Sequence, residues 1–316
     1  MANFRKIDQQ LLVICGPTAT GKTSLALKLA QKFNGEIVSA DSRQVYWGMN
    51  IATGKDHPRK TKINLIDVAR PNEEFSIAHY CRLAGKIIKD IWQKEKSPIL
   101  VGGTGFYIKG LIDGIETMDV LPDWELRRKL EKFPTRKLFL MLARLDSGKA
   151  ALLNVSDRKN PRRLIRAIEI AGKIQSAKCK IQNDNSKLKV DKILFIGLKA
   201  SYEELYSRID KRIDKQVKMG AEEEIKKLLE QGYGWDLPAM TAMGYGVWQP
   251  YFEKKASKEE IIKKWKFAEH AYARRQMTWF KKDKQVNWFD ITKNNWQNKA
   301  ENLVGKWYNE ADAKKN

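Results

Sequence analysis

The chain has 316 residues, 42% of them apolar, 10% aromatic and 31% charged, which is long and apolar enough to bury a sizeable core and excludes a disordered chain. Lys and Arg number 60 against 38 Asp and Glu, a formal net charge of +22; this suits a polyanionic partner, since each cation placed on a phosphate releases counterions, while a merely solubilising surface is the plainer reading. The longest early apolar run, Leu11–Cys15, is too short for a membrane span or a signal-peptide core, so a soluble cytoplasmic protein is expected.

Leu11–Cys15 reads as a buried strand, followed by a Gly-rich turn and a helix with Leu25, Leu29 and Phe33 at helical spacing. Glu36–Ala40 is a second strand ending at Asp41, and Ile63–Val68 a short third. Phe75–Gln93 reads as a helix with Ile77, Ala84, Ile87, Ile88 and Ile91 inward, and Pro98–Val101 as a strand broken by Gly102-Gly103-Thr104-Gly105. Strand and helix alternating through short linkers predict a parallel sheet.

From about Asp113 to Leu188 the pattern turns helical. Pro122-Asp123 opens one helix, Thr135 caps another through Leu145, and Asn160 caps a third with Pro161 in its first position. The third helix carries Leu164, Ile165 and Ile168 on one side, and Ala177–Leu188 reads as a polar loop. Lys192–Leu198 returns as a strand, Ser201-x-x-Glu204 is a capping box opening a long helix to about Leu229, and Ser257-x-x-Glu260 is a second box. The helix after that box places Ile261, Trp265, Ala268, Tyr272 and Trp279 at three- and four-residue steps, and the tail Ala311–Asn316 is expected to fray. The fold class is therefore α/β, with a parallel-sheet core from residues 1–115 and 190–316 and a helical insertion over 116–189.

Gly16-Pro17-Thr18-Ala19-Thr20-Gly21-Lys22-Thr23 fits G-x-x-x-x-G-K-[ST] at every fixed position, between a strand and a helix. Its N–H groups and helix N-terminus make an anion cradle, Lys22 brings a charge to a terminal phosphate, and the Thr23 hydroxyl can hold Mg²⁺. A di- or triphosphate site follows, without fixing which one. Ligands of parallel sheets gather at the carboxyl ends of the strands, which brings Asp41 and Gly102–Gly105 toward this loop. Asp41 is then a magnesium-side carboxylate or a general base, against a simple turn role for Asp in D-S-R. Gly102–Gly105 lacks the acidic residue of nucleotide hydrolases; its glycines suggest close backbone approach to a ligand, and Thr104 adds a hydroxyl.

Cys15, Cys81 and Cys179 form no CxxC pair, which excludes a disulfide framework and a zinc site. His57, His79 and His270 are scattered and read as structural or solvent-facing. Trp47, Trp235 and Trp248 lie near predicted loops and can stack bases, whereas Trp265 and Trp279 read as helix-packing aromatics. Arg127-Arg128, Arg162-Arg163, Arg166 and Arg274-Arg275 are candidate phosphate contacts or solvated faces.

Taken in order, Gly16–Thr23, Asp41-Ser42-Arg43-Gln44-Val45-Tyr46, Val101–Tyr107, Arg163–Glu169, Met243-Gly244-Tyr245 and Ala273–Trp279 resemble the tRNA dimethylallyltransferases over about Leu11–Trp288. The resemblance implies a P-loop nucleotide-kinase-like core with an insertion that grips the tRNA anticodon stem-loop. It implies transfer of a dimethylallyl group from dimethylallyl diphosphate to N6 of the adenine 3′ of the anticodon; Mg²⁺ is the cofactor expected from the P-loop, and a monomer is the default expectation. The P-loop residues Gly16, Pro17, Thr18, Ala19, Thr20, Gly21, Lys22 and Thr23 would then hold the donor's diphosphate, with Arg212 nearby. Asp41 would take the proton of the attacking amine. Thr104 and Arg127 match positions at the tRNA and the reacting groups, and Asp41, Ser42, Arg43, Gln44, Lys159, Asn160, Pro161, Arg162 and Arg163 match tRNA-contacting stretches.

There are departures from the family pattern. Asn160 stands where the family usually has Asp, Lys62–Asp67 replaces a His-rich stretch, and the zinc finger of eukaryotic members is absent, which points to a bacterial type. Two other readings stay open: a P-loop kinase acting on a small molecule or nucleoside, and a basic RNA-binding module whose phosphate loop is only structural. The co-occurrence of Gly102–Gly105 with Ala273–Trp279 separates the first reading from both.

Overall fold

The computed structural model describes residues 9–312 apart from 57, 59–60, 116, 118–119 and 176–186. The chain forms two compact units, residues 1–113 with 188–316, and residues 114–187.

The first unit is built on six parallel strands: β1 (Gln10–Cys15), β2 (Gly35–Ser39), β3 (Ile63–Asn64), β4 (Ser97–Gly102), β5 (Lys192–Lys199) and β6 (Val286–Asp290). Their order is β3-β2-β4-β1-β5-β6. β1 sits between β4 and β5, and Leu11 to Cys15 are all fully buried, as expected for a strand covered on both faces. Cys15 lies opposite Gly102 and Gly197, and Ser39 opposite Val101. The carboxyl ends of β1, β2 and β4 are therefore level, and the turns that follow them leave from one edge.

Around the sheet run α1 (Lys22–Lys32), α2 (Ile77–Gln93) and α3 (Gly105–Asp113). The second unit holds α4 (Trp124–Leu130), α5 (Thr135–Leu145), α6 (Ser147–Leu152), α7 (Val155–Arg158) and α8 (Pro161–Gln175). The chain then adds α9 (Tyr202–Lys218), α10 (Ala221–Glu230), α11 (Met243–Gly246), α12 (Gln249–Phe252), α13 (Lys258–Phe280) and α14 (Trp296–Asp312) to the first unit. One core lies between the sheet and α1 and α14, with Leu12, Ile14, Leu25, Leu29, Ile196 and Val304 buried. A second gathers Val45, Met49, Ile213, Ile225, Tyr245, Trp248 and Trp265. Each fully buried aliphatic side chain contributes roughly 1.5–3 kcal/mol. The second unit has its own core of Leu138, Leu142, Leu164, Ile165 and Ile168.

The α/β class with a parallel sheet agrees with the sequence reading, and several local expectations are corrected. Ile63–Val68 is a strand only at Ile63–Asn64, because Leu65 and Asp67 turn to φ of 64° and 54°. The helix expected from Ser201 to Leu229 is two helices. Gly220 adopts φ 97°, a left-handed conformation that ends α9 and lets α10 leave in a new direction. Ser201 caps Glu204 N–H, but Glu204 pairs with Arg208 instead of closing the box, whereas the box at Ser257 and Glu260 is complete. Pro134, not Thr135, occupies the cap position of α5. Ile77 and Ile87 are half-buried; Tyr80, Cys81 and Trp92 join Ala84, Ile88 and Ile91 on the inner face of α2. Strand β6 and helix α14 are additions. Of the predicted loop Ala177–Leu188, 177–186 lie outside the described residues, as do 313–316 of the tail.

Candidate functional site

The P-loop leaves β1 at Gly16 (φ 132°), where a Cβ would fall 2.3 Å from the Leu198 carbonyl oxygen, so only glycine fits. Ala19 and Gly21 also adopt positive φ, and Gly21 caps α1 without a side chain. The N–H groups of Lys22, Thr23 and Ser24 precede the first intrahelical bond, from Leu25 N–H to Gly21 O at 3.1 Å, and face outward as an anion cradle. Thr20 Oγ1 and Lys22 Nζ both donate to the Pro17 carbonyl, at 2.8 and 2.7 Å. Burial lowers the Lys22 ammonium to about 8; Asp41 opposes that shift and Arg212 adds to it. Burial pushes the Cys15 thiol up to about 12, which makes it inert.

A cavity of about 480 Å³ opens over this loop. It is lined by Thr18, Lys22, Thr23 and Arg212, by Asp41, Ser42, Arg43 and Gln44, and by Glu269, Tyr272, Arg275 and Gln276 of α13. Arg212 donates from Nη1 to Thr18 Oγ1 at 2.8 Å and from Nη2 to Thr53 O at 3.2 Å. Asp41 Oδ1 accepts the Arg43 N–H at 2.8 Å, the turn role that D-S-R suggested. Oδ2 has no hydrogen-bond partner among the described residues, so the turn engages only one oxygen of the carboxylate. Thr104 Oγ1 accepts the Ser42 N–H at 3.1 Å and ties the turn after β4 to the turn after β2.

Gly102 and Gly103 line the cavity, and the protein itself fills the space that their side chains, and that of Gly105, would take. A Cβ on Gly102 would fall 2.1 Å from Ala40 O, on Gly103 2.0 Å from Gln276 Nε2, and on Gly105 2.1 Å from Trp279 Nε1. Gln276 donates to Gly103 O at 3.0 Å and accepts the Thr18 N–H at 2.8 Å. This physically links the Gly102–Gly105 and Ala273–Trp279 motifs.

The structure thus brings together the P-loop, Asp41–Gln44, Thr104 and Arg212. Arg127 and Lys159–Arg163 belong to the second unit. There Arg127 donates to Glu169 from Nε and Nη2, both at 3.0 Å. Burial alone would raise the Glu169 carboxyl, but hydrogen bonds from Arg127, the Asp123 N–H and Arg166 hold it below the ordinary glutamate value. Arg166 also donates to Val120 O at 2.8 Å, so it is an internal tie of this unit and not a phosphate contact. Asn160 caps α8, accepting the Arg163 N–H at 3.2 Å, and Arg163 pairs with Asp157. Lys159, Asn160, Pro161 and Arg162 line a second cavity, of about 450 Å³, with Ser156.

Trp248 is fully buried, edge-on to Trp265 at 6.3 Å, so it cannot stack a base. Trp235 packs on Phe252 at 6.0 Å, and Trp47 is exposed. Trp279, expected in the core, is exposed apart from its contact with Gly105. Arg274 donates to the Tyr206 hydroxyl, and His270 bonds to Asp210 at 2.8 Å. His79 caps α2 with Ser76, while His57 lies outside the described residues. Glu269, Thr53 and Tyr272 are site residues that the sequence reading missed as such. Glu269, Tyr272 and Gln276 recur at steps of three and four on one face of α13, a signal that needed the partner turns to be read. Burial raises both Glu269, against Arg212, and Tyr272, with Asp41 adding to it.

Among the described residues, no helix is long and apolar enough to cross a membrane. The family profile described as IPP transferase matches residues 44–283, and that described as Isopentenyl transferase matches residues 9–68. The tRNA dimethylallyltransferase of Roseiflexus sp. (strain RS-1) is 39% identical over 307 residues, covering 94% of this chain and 98% of its own. That of Acetivibrio thermocellus is 40% identical, covering 89% and 91%. The crystal structure of the full-length tRNA isopentenylpyrophosphate transferase from Bacillus halodurans superposes with a TM-score of 0.73 at 32% identity, covering 98% of this chain and 99% of that one. A eukaryotic dimethylallyltransferase captured acting on tRNA gives 0.75 at 27% identity, covering 90% and 74%. With a P-loop core and sequence similarity along nearly its whole length, the chain belongs to the tRNA dimethylallyltransferase (IPP transferase) family.

Proposed function

We propose that this chain, as a single copy, transfers a dimethylallyl group from dimethylallyl diphosphate to N6 of the adenine 3′ of the tRNA anticodon and releases diphosphate. The observation that carries this reading is one cavity with the cations Lys22 and Arg212, the backbone N–H groups that open α1, and a partly unpartnered carboxylate at Asp41. The diphosphate lies in the P-loop, Gly16–Thr23, where charge that builds on its oxygens as the allylic C–O bond breaks meets preorganised donors. The adenine amine attacks the allylic carbon, the C–O electron pair leaves with diphosphate, and Asp41 Oδ2 accepts the proton from N6. Tyr272 and Met243 on the cavity wall help to keep water from the cation-like carbon. The adenine must leave its stack to enter, which a loop context makes easier than a duplex does.

Thr23 and Asp41 offer oxygen donors to this cavity, and no group of three or more His, Cys, Asp or Glu side chains forms a metal cluster among the described residues. That fits Mg²⁺, an ion that keeps several waters and leans on substrate phosphates; bound there, it would neutralise charge on the leaving diphosphate. In the second unit, Arg127 and the Lys159–Arg163 stretch hold the anticodon stem-loop through its phosphates, with Ser42, Arg43, Gln44 and Thr104 reading the base at the site.

The test is to incubate the protein with unmodified tRNA, Mg²⁺ and dimethylallyl diphosphate and to analyse the anticodon-loop fragment by mass spectrometry. A five-carbon addition is expected, abolished in Asp41→Ala while tRNA binding persists. ATP turnover without RNA and no addition would establish the kinase reading instead.

A further inference from the structure

Glu224 lies on α10, and its carboxylate is capped by the loop that follows β2. Oε2 accepts the N–H groups of Asn50 and Ile51 at 2.9 and 2.8 Å, and Oε1 accepts Ala52 N–H at 3.2 Å and the Tyr245 hydroxyl at 2.6 Å. Three consecutive amides converging on one carboxylate make an anion nest, filled here by the protein's own side chain. Gln216 fixes the same loop from α9 by donating to Ile51 O at 2.6 Å. The next residue, Thr53, offers its carbonyl to Arg212 Nη2, and Arg212 Nη1 reaches Thr18 of the P-loop. Burial first, and then the charge of Glu224, push the Tyr245 hydroxyl up, so it stays protonated and donates. Glu224 stands in the first turn of α10, four residues after the left-handed Gly220 that opens this helix.

We propose that Glu224 is a positioning residue for the diphosphate end of the site: by closing the Asn50–Ala52 nest it fixes the Thr53 carbonyl, which orients Arg212 toward the P-loop. Glu224 does not line the cavity over the P-loop, so it acts through Arg212. The inference rests on the proposed function only in taking a diphosphate as the ligand of the P-loop.

The test is a double-mutant cycle on the binding of inorganic diphosphate with Mg²⁺, read by calorimetry for wild type, Glu224→Gln, Arg212→Gln and the double variant. Glu224→Gln replaces one acceptor oxygen by an NH₂ facing the nest amides and is expected to weaken binding about tenfold. In the Arg212→Gln background the same change is expected to weaken binding by less than about twofold, because its route is already gone. Effects that multiply in the double variant, or no effect of Glu224→Gln, would overturn the proposal. In prenyl transfer, KM for dimethylallyl diphosphate should rise in Glu224→Gln while KM for RNA stays put; a rise confined to RNA would also overturn it. Should Glu224→Gln not fold, Tyr245→Phe, which removes one donor from the same carboxylate, should weaken diphosphate binding about threefold, and unchanged binding would count against the proposal. Absence of prenyl transfer by the wild type would sink the proposed function yet leave the binding cycle readable.

Discussion

Gln276 occupies the space that a side chain on Gly103 would need: its Nε2 donates to Gly103 O at 3.0 Å, and a Cβ on Gly103 would fall 2.0 Å from that nitrogen. The same amide accepts Thr18 N–H, so one buried side chain joins the turn after β4 to the P-loop. Gly103→Ala should expel the amide and unhook Thr18. Gln276→Ala should do the same from the other side, each costing about 1–3 kcal/mol because buried polar groups lose their partner. Urea unfolding and diphosphate titration check this. Variants with unchanged midpoints and unchanged affinity would show that the tie is dispensable.

Lys22 carries a pH signature. Its ammonium is lowered to about 8 in the free protein, chiefly by burial, and a bound diphosphate must raise it again. Binding then takes up a proton as pH climbs above that value, so the Lys22 contribution to diphosphate affinity is constant below pH 8 and falls above it. For folding, the sign is opposite: a depressed lysine weakens the free fold at low pH, and the penalty fades as pH rises from about 8 toward 10.5. Calorimetry from pH 6.5 to 9.5 should show this decline as the difference between wild type and Lys22→Met, which shares the ligand's own titration but lacks the lysine's. Parallel profiles of wild type and variant across this range would rule out the assignment.

Glu169 is fully buried between Arg127 and Arg166 and accepts the Asp123 N–H besides. Glu169→Gln leaves two guanidinium groups without their counter-charge and should destabilise residues 114–187 by about 3 kcal/mol. Its carboxyl is held below the usual value, so this stabilisation is complete above the ordinary glutamate range and is lost as pH drops below it. Hydrogen exchange resolved by segment should therefore show faster exchange over α4 and α8 in the variant at neutral pH. Equal protection in both proteins would mean that the cluster is marginal.

Much of this was legible in the sequence for simple reasons. Leu11–Cys15 is buried on both faces, and a continuous apolar run is the only pattern such a strand can carry. The P-loop is recognisable because glycine and lysine positions there are dictated by backbone approach and charge. The split at Gly220 was signalled by a glycine followed by Glu222, Glu223 and Glu224, an acidic first turn that starts a new helix. Strand β6 escaped because only Val286 in it is buried, and its mixed residues show no period. Helix α14 lacked a recognisable cap and carries Gly305 in its middle. Gln276, Glu224 and Thr53 could not be assigned roles in advance because each acts on a partner from a distant part of the chain. A charged residue on a helix looks the same in sequence whether it faces water or three amides.

The backbone leaves the first unit after Asp113 and is back at Leu188, whose N–H donates to Leu111 O at 3.2 Å. Exit and return share a single doorway. The entropic toll of lengthening a closed excursion rises only logarithmically with its span, so this parallel-sheet framework can tolerate large swaps or extensions there. That makes the doorway the natural splice point for exchanging the inserted unit while keeping the same sheet framework.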